Sequence, residues 1–209
     1  MSDTDAKQYA PATQRNREPI LQVLQKILPP TGNILEISSG TGEHAVYFAP
    51  RLVPRIWIPS EPQLYLRESI AAWREDFLCD YLAPPIEIDA TDDYWVVETQ
   101  KVEIAAIVNI NMIHIAPWSA CLGLMAGAGR ILPNGGILYL YGPYKQGGKH
   151  TAPSNEAFDE SLQSHNQSWG VRNLEDVINV ALEQGLELVE VIEMPANNLS
   201  VVFQKVKSH

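Results

Sequence analysis

The stretch ILEISSGTGEHAVYF, Ile34 to Phe48, restricts the fold of this chain more than any other part of the sequence. An apolar run enters two closely spaced glycines, and helix-forming residues follow at once. An apolar strand that reaches a helix through a tight glycine turn is the opening unit of a parallel α/β sheet. The spacing predicts a strand over Asn33–Ile37 and a helix over Glu43–Leu52, preceded by a helix whose face is Ile20, Leu21, Leu24, Ile27 and Leu28.

The alternation continues. RIWIPSEP reads as a second strand ending near Pro59, LYLRESIAAWREDFL as a helix, IEID as a third strand and DDYWV as a short helical turn. VEIAAIVNIN is a near-continuous apolar run, the signature of a central parallel strand covered on both faces. A helix over APWSACLGLMAGAGRIL and a fifth strand over GILYLYGPY follow. From Gly142 to Gly170 there is no strand signal, only a helix near Asn155–Ser164, so 142–170 reads as an insertion. A helix over Leu174–Gln184, closed by Gly185, leads to strands LELVEVIEM and LSVVFQKV. The short PANN between those strands requires an antiparallel hairpin. The expected architecture is one α/β domain over 1–209, with a doubly wound seven-stranded sheet and a loosely held N-terminal segment, 1–13.

Charge and composition remove several classes of function. Twenty-five acidic residues outnumber 15 basic ones, a net charge of −10, with no basic run to track a phosphate backbone or an anionic membrane. Neither nucleic acid nor membrane is an expected partner. No apolar run reaches 18 residues, and the first residues have no apolar core of the kind a signal peptide needs. Two cysteines, Cys79 and Cys121, sit in apolar helical patterns and read as buried free thiols, which fits the cytoplasm. His150 and His165 are too isolated for a zinc cluster, and no metal site is expected.

Two templates fit the glycine turn. Gly40, Gly42 and Ala45 match a dinucleotide fingerprint, which would imply a nicotinamide oxidoreductase. Glu36, Ser38, Gly40 and Gly42 match an acidic residue followed by small residues at every second position. Glu36 favours the second, because a carboxylate at the end of a buried strand needs a partner, and a cationic amino group provides one. S-adenosylmethionine carries such an ammonium; a nicotinamide dinucleotide offers none there. Glu61 follows the second strand, where an acidic side chain accepts ribose hydroxyls, and Asp89 closes the third. For Asp89 the competing reading is a turn cap.

With these residues in place the chain resembles a class I S-adenosylmethionine-dependent methyltransferase, and more narrowly the methyltransferase-like 26 family. RNREPIL (Arg15–Leu21), LEISSGTGEHAVYFA (Leu35–Ala49), NMIHIAPW (Asn111–Trp118), LYGPY (Leu140–Tyr144), SNEAFDESL (Ser154–Leu162), WGVRNLE (Trp169–Glu175) and MPANNLS (Met194–Ser200) carry the resemblance in order along nearly the whole chain. The general pattern departs at Ser38, where a first glycine is usual, and at Glu61, where an aspartate is. The resemblance implies S-adenosylmethionine as cofactor, Asp89 and the Ala90 backbone beside the adenine, and Arg15 and Asn16 folded over the methionine part. It names no acceptor, which is expected to be a small molecule or a protein side chain. A binding protein or scaffold without catalysis stays open beside the enzyme.

The acceptor is expected where strands four and five, the insertion and the final hairpin open on one edge. Asn109 belongs to the cofactor set there. His114 is the expected general base, with Asn111 and Tyr144 as catalytic partners. Tyr141, Asn155, Trp169, Arg172, Asn197 and Asn198 are the expected substrate contacts.

Overall fold

The structure is a computed structural model that describes residues 6–207. Six strands form the main sheet in the order β2-β1-β3-β4-β8-β7. They are β1 (Asn33–Ile37), β2 (Ile56–Pro59), β3 (Ile104–Ile110), β4 (Ile137–Gly142), β7 (Leu186–Met194) and β8 (Asn198–Lys205). β1 to β4 are mutually parallel, while β8 runs antiparallel to both β4 and β7. The expected α/β sheet with an antiparallel C-terminal hairpin is therefore present.

The edge differs from expectation. IEID forms no full strand; its Ile86 makes an isolated bridge with Ser60, and Leu82, ahead of the prolines, makes another with Trp57. Pro84 and Pro85 precede it, and a proline has no N–H to add to a ladder. The insertion also departs, since Lys145–Gln146 (β5) and Lys149–His150 (β6) pair as a small hairpin around Gly147 and Gly148. Both glycines have positive φ, which lets so short a loop close.

Helices cover both faces, and the pleat divides the core. Ile34, Ala106, Val108, Tyr139 and Val202 point toward α1 (Pro11–Ile27) and α2 (Glu43–Phe48), against Ile20, Leu24, Phe48 and Trp57. Their neighbours Leu35, Ile107, Leu138, Leu140 and Val201 point the other way. There they meet Leu124 and Met125 of α5 (Trp118–Ile131) and Val177 of α7 (Leu174–Glu183). Three further helices are α3 (Leu64–Phe77), the short α4 (Val96–Thr99) and α6 (Pro153–His165), which is the helix expected within the insertion. Cys121 is buried on α5, but Cys79 lies just past α3 and is only half-buried; both are free thiols.

The N-terminal segment is docked from Lys7 onward. Lys7 pairs with Asp76, the Gln8 amide donates to Ser69 Oγ at 2.8 Å, and the Trp73 indole donates to the Gln8 carbonyl at 3.1 Å. The Ala10 amide donates to the Glu43 carboxylate. Residues 1–5 of the segment expected to be loose lie outside the described residues.

One glycine of α5 sets the rim of the sheet edge. A Cβ on Gly123 would stand 2.1 Å from the carbonyl oxygen of Ala90 and 3.0 Å from Thr91 Cα. Gly123→Ala is expected to displace that loop and destabilise the fold by about 1–3 kcal/mol. A urea-unfolding midpoint identical to that of the unaltered chain would contradict this.

Candidate functional site

A cleft of about 730 Å³ opens at the C-terminal ends of β1, β2 and β3. That is the edge where open α/β sheets bind ligands, and the volume suits a cofactor-sized molecule. Its floor is the glycine turn. Ser38, Gly40 and Gly42 all have positive φ, at 57°, 57° and 93°. A Cβ on Gly40 would meet nothing within 4 Å, so the turn presents bare backbone to open space. Gly42 has the opposite duty, because a Cβ there would lie 2.9 Å from Ile70 Cα of α3.

Glu36 sits in this floor and is only 1 % exposed. Its Oε2 accepts the Trp57 indole N–H at 2.9 Å, and no cationic side chain pairs with it among the described residues. Burial pushes its carboxyl up to about 7, against hydrogen bonds from Trp57 and Ser39, and nearby Glu61 pushes in the same direction as burial. Glu61 is 3 % exposed and accepts the Gly40 amide at 3.0 Å and the Gln63 amide at 3.3 Å. Burial raises its carboxyl, and those two amides oppose the rise. Asp89 is exposed on the rim and caps its own turn, accepting the amide of Thr91 at 2.8 Å and its hydroxyl at 2.7 Å. Glu36, Glu61 and Asp89 all line the cleft, whereas no Lys or Arg does so among the described residues.

The opposite wall comes from α1 and α2. Asn16 Oδ1 lies 2.8 Å from His44 Nε2, and the His44 ring stacks on Phe48 at 5.4 Å. Burial, helped by Arg17, lowers the His44 imidazole to about 3, so it is neutral at any ordinary pH. Ile110, Met112, Ile115, Ala116 and Pro117 form the apolar side.

The expected site residues divide into two groups. Asn16, Glu36, Ser38, Gly40, Glu61, Asp89, Ala90 and Asn111 line the cleft together. Gly42 supports it from beneath. Arg15 is exposed on the outer side of α1 and lines no part of it. Asn109 is 1 % exposed, and its Nδ2 donates to the Ile37 carbonyl at 2.9 Å, tying β3 to β1 rather than facing the cleft.

The expected catalytic and substrate sets are corrected further. His114 is fully buried behind the cleft wall, with Nδ1 accepting the Arg172 amide at 3.2 Å. Burial and the Arg172 charge hold its imidazole down at about 3, and because the ring is buried and lines no part of the cleft it is not placed to act as the general base. Tyr144 is also fully buried, with its ring edge against His114 at 4.9 Å. Tyr141 is 3 % exposed and packs in the α1-side core. Asn155 donates to Thr151 Oγ1 at 3.0 Å and to the Asn197 carbonyl at 2.9 Å, while Asn197 donates to Ser154 Oγ at 3.2 Å. Asn198 closes its own turn on the Pro195 carbonyl at 3.1 Å. Arg172 clamps the carbonyls of Ile113 at 2.8 Å and Ala116 at 2.6 Å, and its guanidinium lies 5.6 Å from the Trp118 ring centre. Trp169 is half-buried and lines no part of the cleft. Asn155 and Trp169 fold back with the insertion, while Tyr141, Arg172, Asn197 and Asn198 are held by the core, the loop carbonyls and the hairpin turn, and none of these six lines the cleft.

His44 is a cleft residue outside the expected set. It stands two residues after Gly42, in the first turn of α2, where a side chain faces the same sheet edge. Thr13 and Thr41 join it in the lining. Among the described residues, no group of three or more His, Cys, Asp or Glu side chains could hold a metal ion, and no helix is long and apolar enough to cross a membrane.

A family profile described as "Protein of unknown function (DUF938)" matches residues 7–205. Among solved structures, the chain is similar to an O-methyltransferase family protein from Burkholderia thailandensis, with a TM-score of 0.78 and 11% identity over 95% of this chain and 58% of that one. It is similar to an O-methyltransferase family 2 protein from Planctomyces limnophilus in complex with apigenin, with a TM-score of 0.76 and 18% identity over 98% of this chain and 62% of that one. Human N-acetylserotonin methyltransferase in complex with S-adenosylmethionine matches with a TM-score of 0.73 and 12% identity, over 94% of this chain and 53% of that one. The chain thus spans between about half and two thirds of the length of these structures. What it shares with them is the fold.

Proposed function

The chain belongs to the DUF938 family, and from that premise we propose that it is an S-adenosylmethionine-dependent methyltransferase within the methyltransferase-like 26 branch, acting on a small-molecule or protein acceptor. The observation that carries this reading is Glu36, a buried carboxylate without a cationic partner at the floor of a cofactor-sized cleft. A buried charge is costly until it is paired, and the ammonium of the cofactor's amino-acid end is the partner that fits. A nicotinamide dinucleotide leaves it unpaired.

The remaining lining residues divide along the ligand. Glu61 keeps lone pairs for ribose hydroxyls while its amide contacts hold it in place. Asp89 and the Ala90 backbone stand at the adenine end, and Gly40 lets the ligand lie directly on the turn. When bound, S-adenosylmethionine supplies an electrophilic methyl group on a sulfonium. The apolar wall from Ile110 to Pro117 excludes water around the reacting centre.

Calorimetry with S-adenosylhomocysteine, which keeps the ammonium, tests the reading. The ligand cation favours ionised Glu36, whose carboxyl stands at about 7 in the free protein. At pH 6 binding should therefore expel about one proton, and at pH 8 almost none. Affinity should rise by up to about tenfold per unit toward pH 7 and then level off. Absence of heat at both pH values, in buffers of different ionisation enthalpy, would overturn the assignment.

A further inference from the structure

Two fully buried polar groups behind the cleft wall, His114 Nε2 and the Tyr144 hydroxyl, have no hydrogen-bond partner among the described residues. A buried donor without an acceptor is costly, so it calls for an explanation. The tautomer of His114 follows from its other nitrogen. Nδ1 lies 3.2 Å from the Arg172 amide, which can only donate, so Nδ1 is the bare acceptor and the neutral ring carries its proton on Nε2. The charged groups that act on this ring are Arg172 and Asp159, and the Tyr144 ring edge lies against it.

Asn111 Oδ1 is an acceptor that shares open space with the Nε2–H group, while the Gly170 backbone also acts on the ring. The position that a Cβ on Gly142 would take is 2.6 Å from His114 Nε2 and 3.1 Å from Asn111 Oδ1. Both atoms therefore border the space left by the missing side chain, and a larger residue there would separate them. Asn111 lines the cleft and has a left-handed backbone, φ 65°, with its amide pinned to the Tyr141 carbonyl at 2.8 Å. Only its side chain is free to turn. With Oδ1 directed at His114, the NH2 group of Asn111 is left for the cleft.

The cleft needs such a donor. An amino-acid end carries a carboxylate beside its ammonium, and no Lys or Arg lines the cleft among the described residues. The carboxylate must be held by neutral N–H and O–H groups.

We propose that His114 is a positioning residue whose Nε2–H engages Asn111 Oδ1 when ligand binds, so that the Asn111 NH2 donates to the carboxylate of the cofactor's amino-acid end. This rests on the cofactor reading above, and the experiment separates the two. In full-length ¹⁵N-labelled protein, imidazole NMR should show His114 as the Nε2–H tautomer without titration from pH 5.5 to 8.5. Saturation with S-adenosylhomocysteine should shift the Nε2–H proton downfield. His114→Ala should weaken S-adenosylhomocysteine about 5- to 20-fold but leave 5′-methylthioadenosine, which lacks the amino-acid end, within about twofold. His114→Gln, which keeps an N–H donor, should recover most of the loss. A ring that titrates in that range, an Nδ1–H tautomer, or equal losses for both ligands would overturn the proposal. If the unaltered protein binds neither ligand, the cofactor reading falls and this assignment of the Asn111 donor falls with it. If it binds both equally well with the Nε2–H resonance unmoved, only the positioning role falls.

Discussion

Glu36→Gln is expected to weaken S-adenosylhomocysteine by about 10- to 100-fold at pH 8 while making the ligand-free protein more stable at that pH. The affinity loss follows from exchanging a carboxylate–ammonium pair for a neutral amide. Hydrogen bonds between charged partners are worth about 1.5–3 kcal/mol, against about 1 for neutral ones. The gain in stability has the same origin. Glu36 ionises near 4.5 in an unfolded chain and at about 7 in the folded protein. Between those values the folded state holds a proton that the unfolded state has released, so stability falls as pH rises through the window. By pH 8 the accumulated cost is on the order of 3 kcal/mol. Gln stays neutral and keeps an oxygen for the Trp57 indole, so it avoids that cost. Urea unfolding should show the variant ahead at pH 8 and level with the unaltered chain near pH 4.5. A variant less stable at both values would show that the free carboxylate is not a strained group waiting for a cation. The opposed signs also guard the binding result, since a variant that simply failed to fold would lose both properties.

The features legible in the sequence were those governed by short-range rules. A strand, a glycine turn and a helix lie within Ile34 to Phe48, and their geometry follows from φ preferences and burial over adjacent residues. Glu36 was legible for the same reason, because a carboxylate inside an apolar run stands out against its neighbours. The final hairpin was fixed by the shortness of PANN. The missing edge strand had a readable cause, Pro84 and Pro85, outweighed in the sequence reading by the alternation of IEID. His44 carries no signal of its own in the sequence, because its spacing marks it only as part of a helix. The polar residues after β4 were misplaced for a different reason. Their strands open on the cleft edge, yet the insertion turns back on itself. Asn155 and Arg172 are consumed by carbonyls many residues away. Such pairings depend on the path of the whole chain, and no local spacing encodes them.

Asp159 is the residue through which that path acts, and its removal should cost more stability than any other single change in the insertion. Its Oδ2 meets Lys145 Nζ at 2.7 Å and His150 Nε2 at 3.1 Å, and its Oδ1 accepts the Val171 amide at 2.8 Å and the Gln163 amide at 3.0 Å. The side chain is 6 % exposed, so nearly all of its compensation comes from these four groups. Asp159→Ala leaves the Lys145 ammonium and the Val171 N–H without a partner, and a loss of about 3–4 kcal/mol is expected. Asp159→Asn keeps one oxygen and should lose about half as much. Burial alone would raise this carboxyl, but Lys145, the Val171 amide and Gln163 together hold it below its ordinary 3.8. Its contribution is therefore complete above that value and disappears as pH falls through the lower folded value, so the gap between the unaltered chain and Asp159→Asn should close in acid. The effect should reach the cleft through the next residues of the chain. Gly170 donates to the His114 carbonyl at 2.9 Å, and Arg172 holds Ile113 and Ala116, which carry the cleft's apolar wall. With Val171 released, those clamps loosen. Amide hydrogen exchange over Met112 to Ala116 should accelerate in Asp159→Ala well beyond the change in β1. Uniform acceleration across both segments would mean that Asp159 supports the fold as a whole and has no particular hold on the cleft wall.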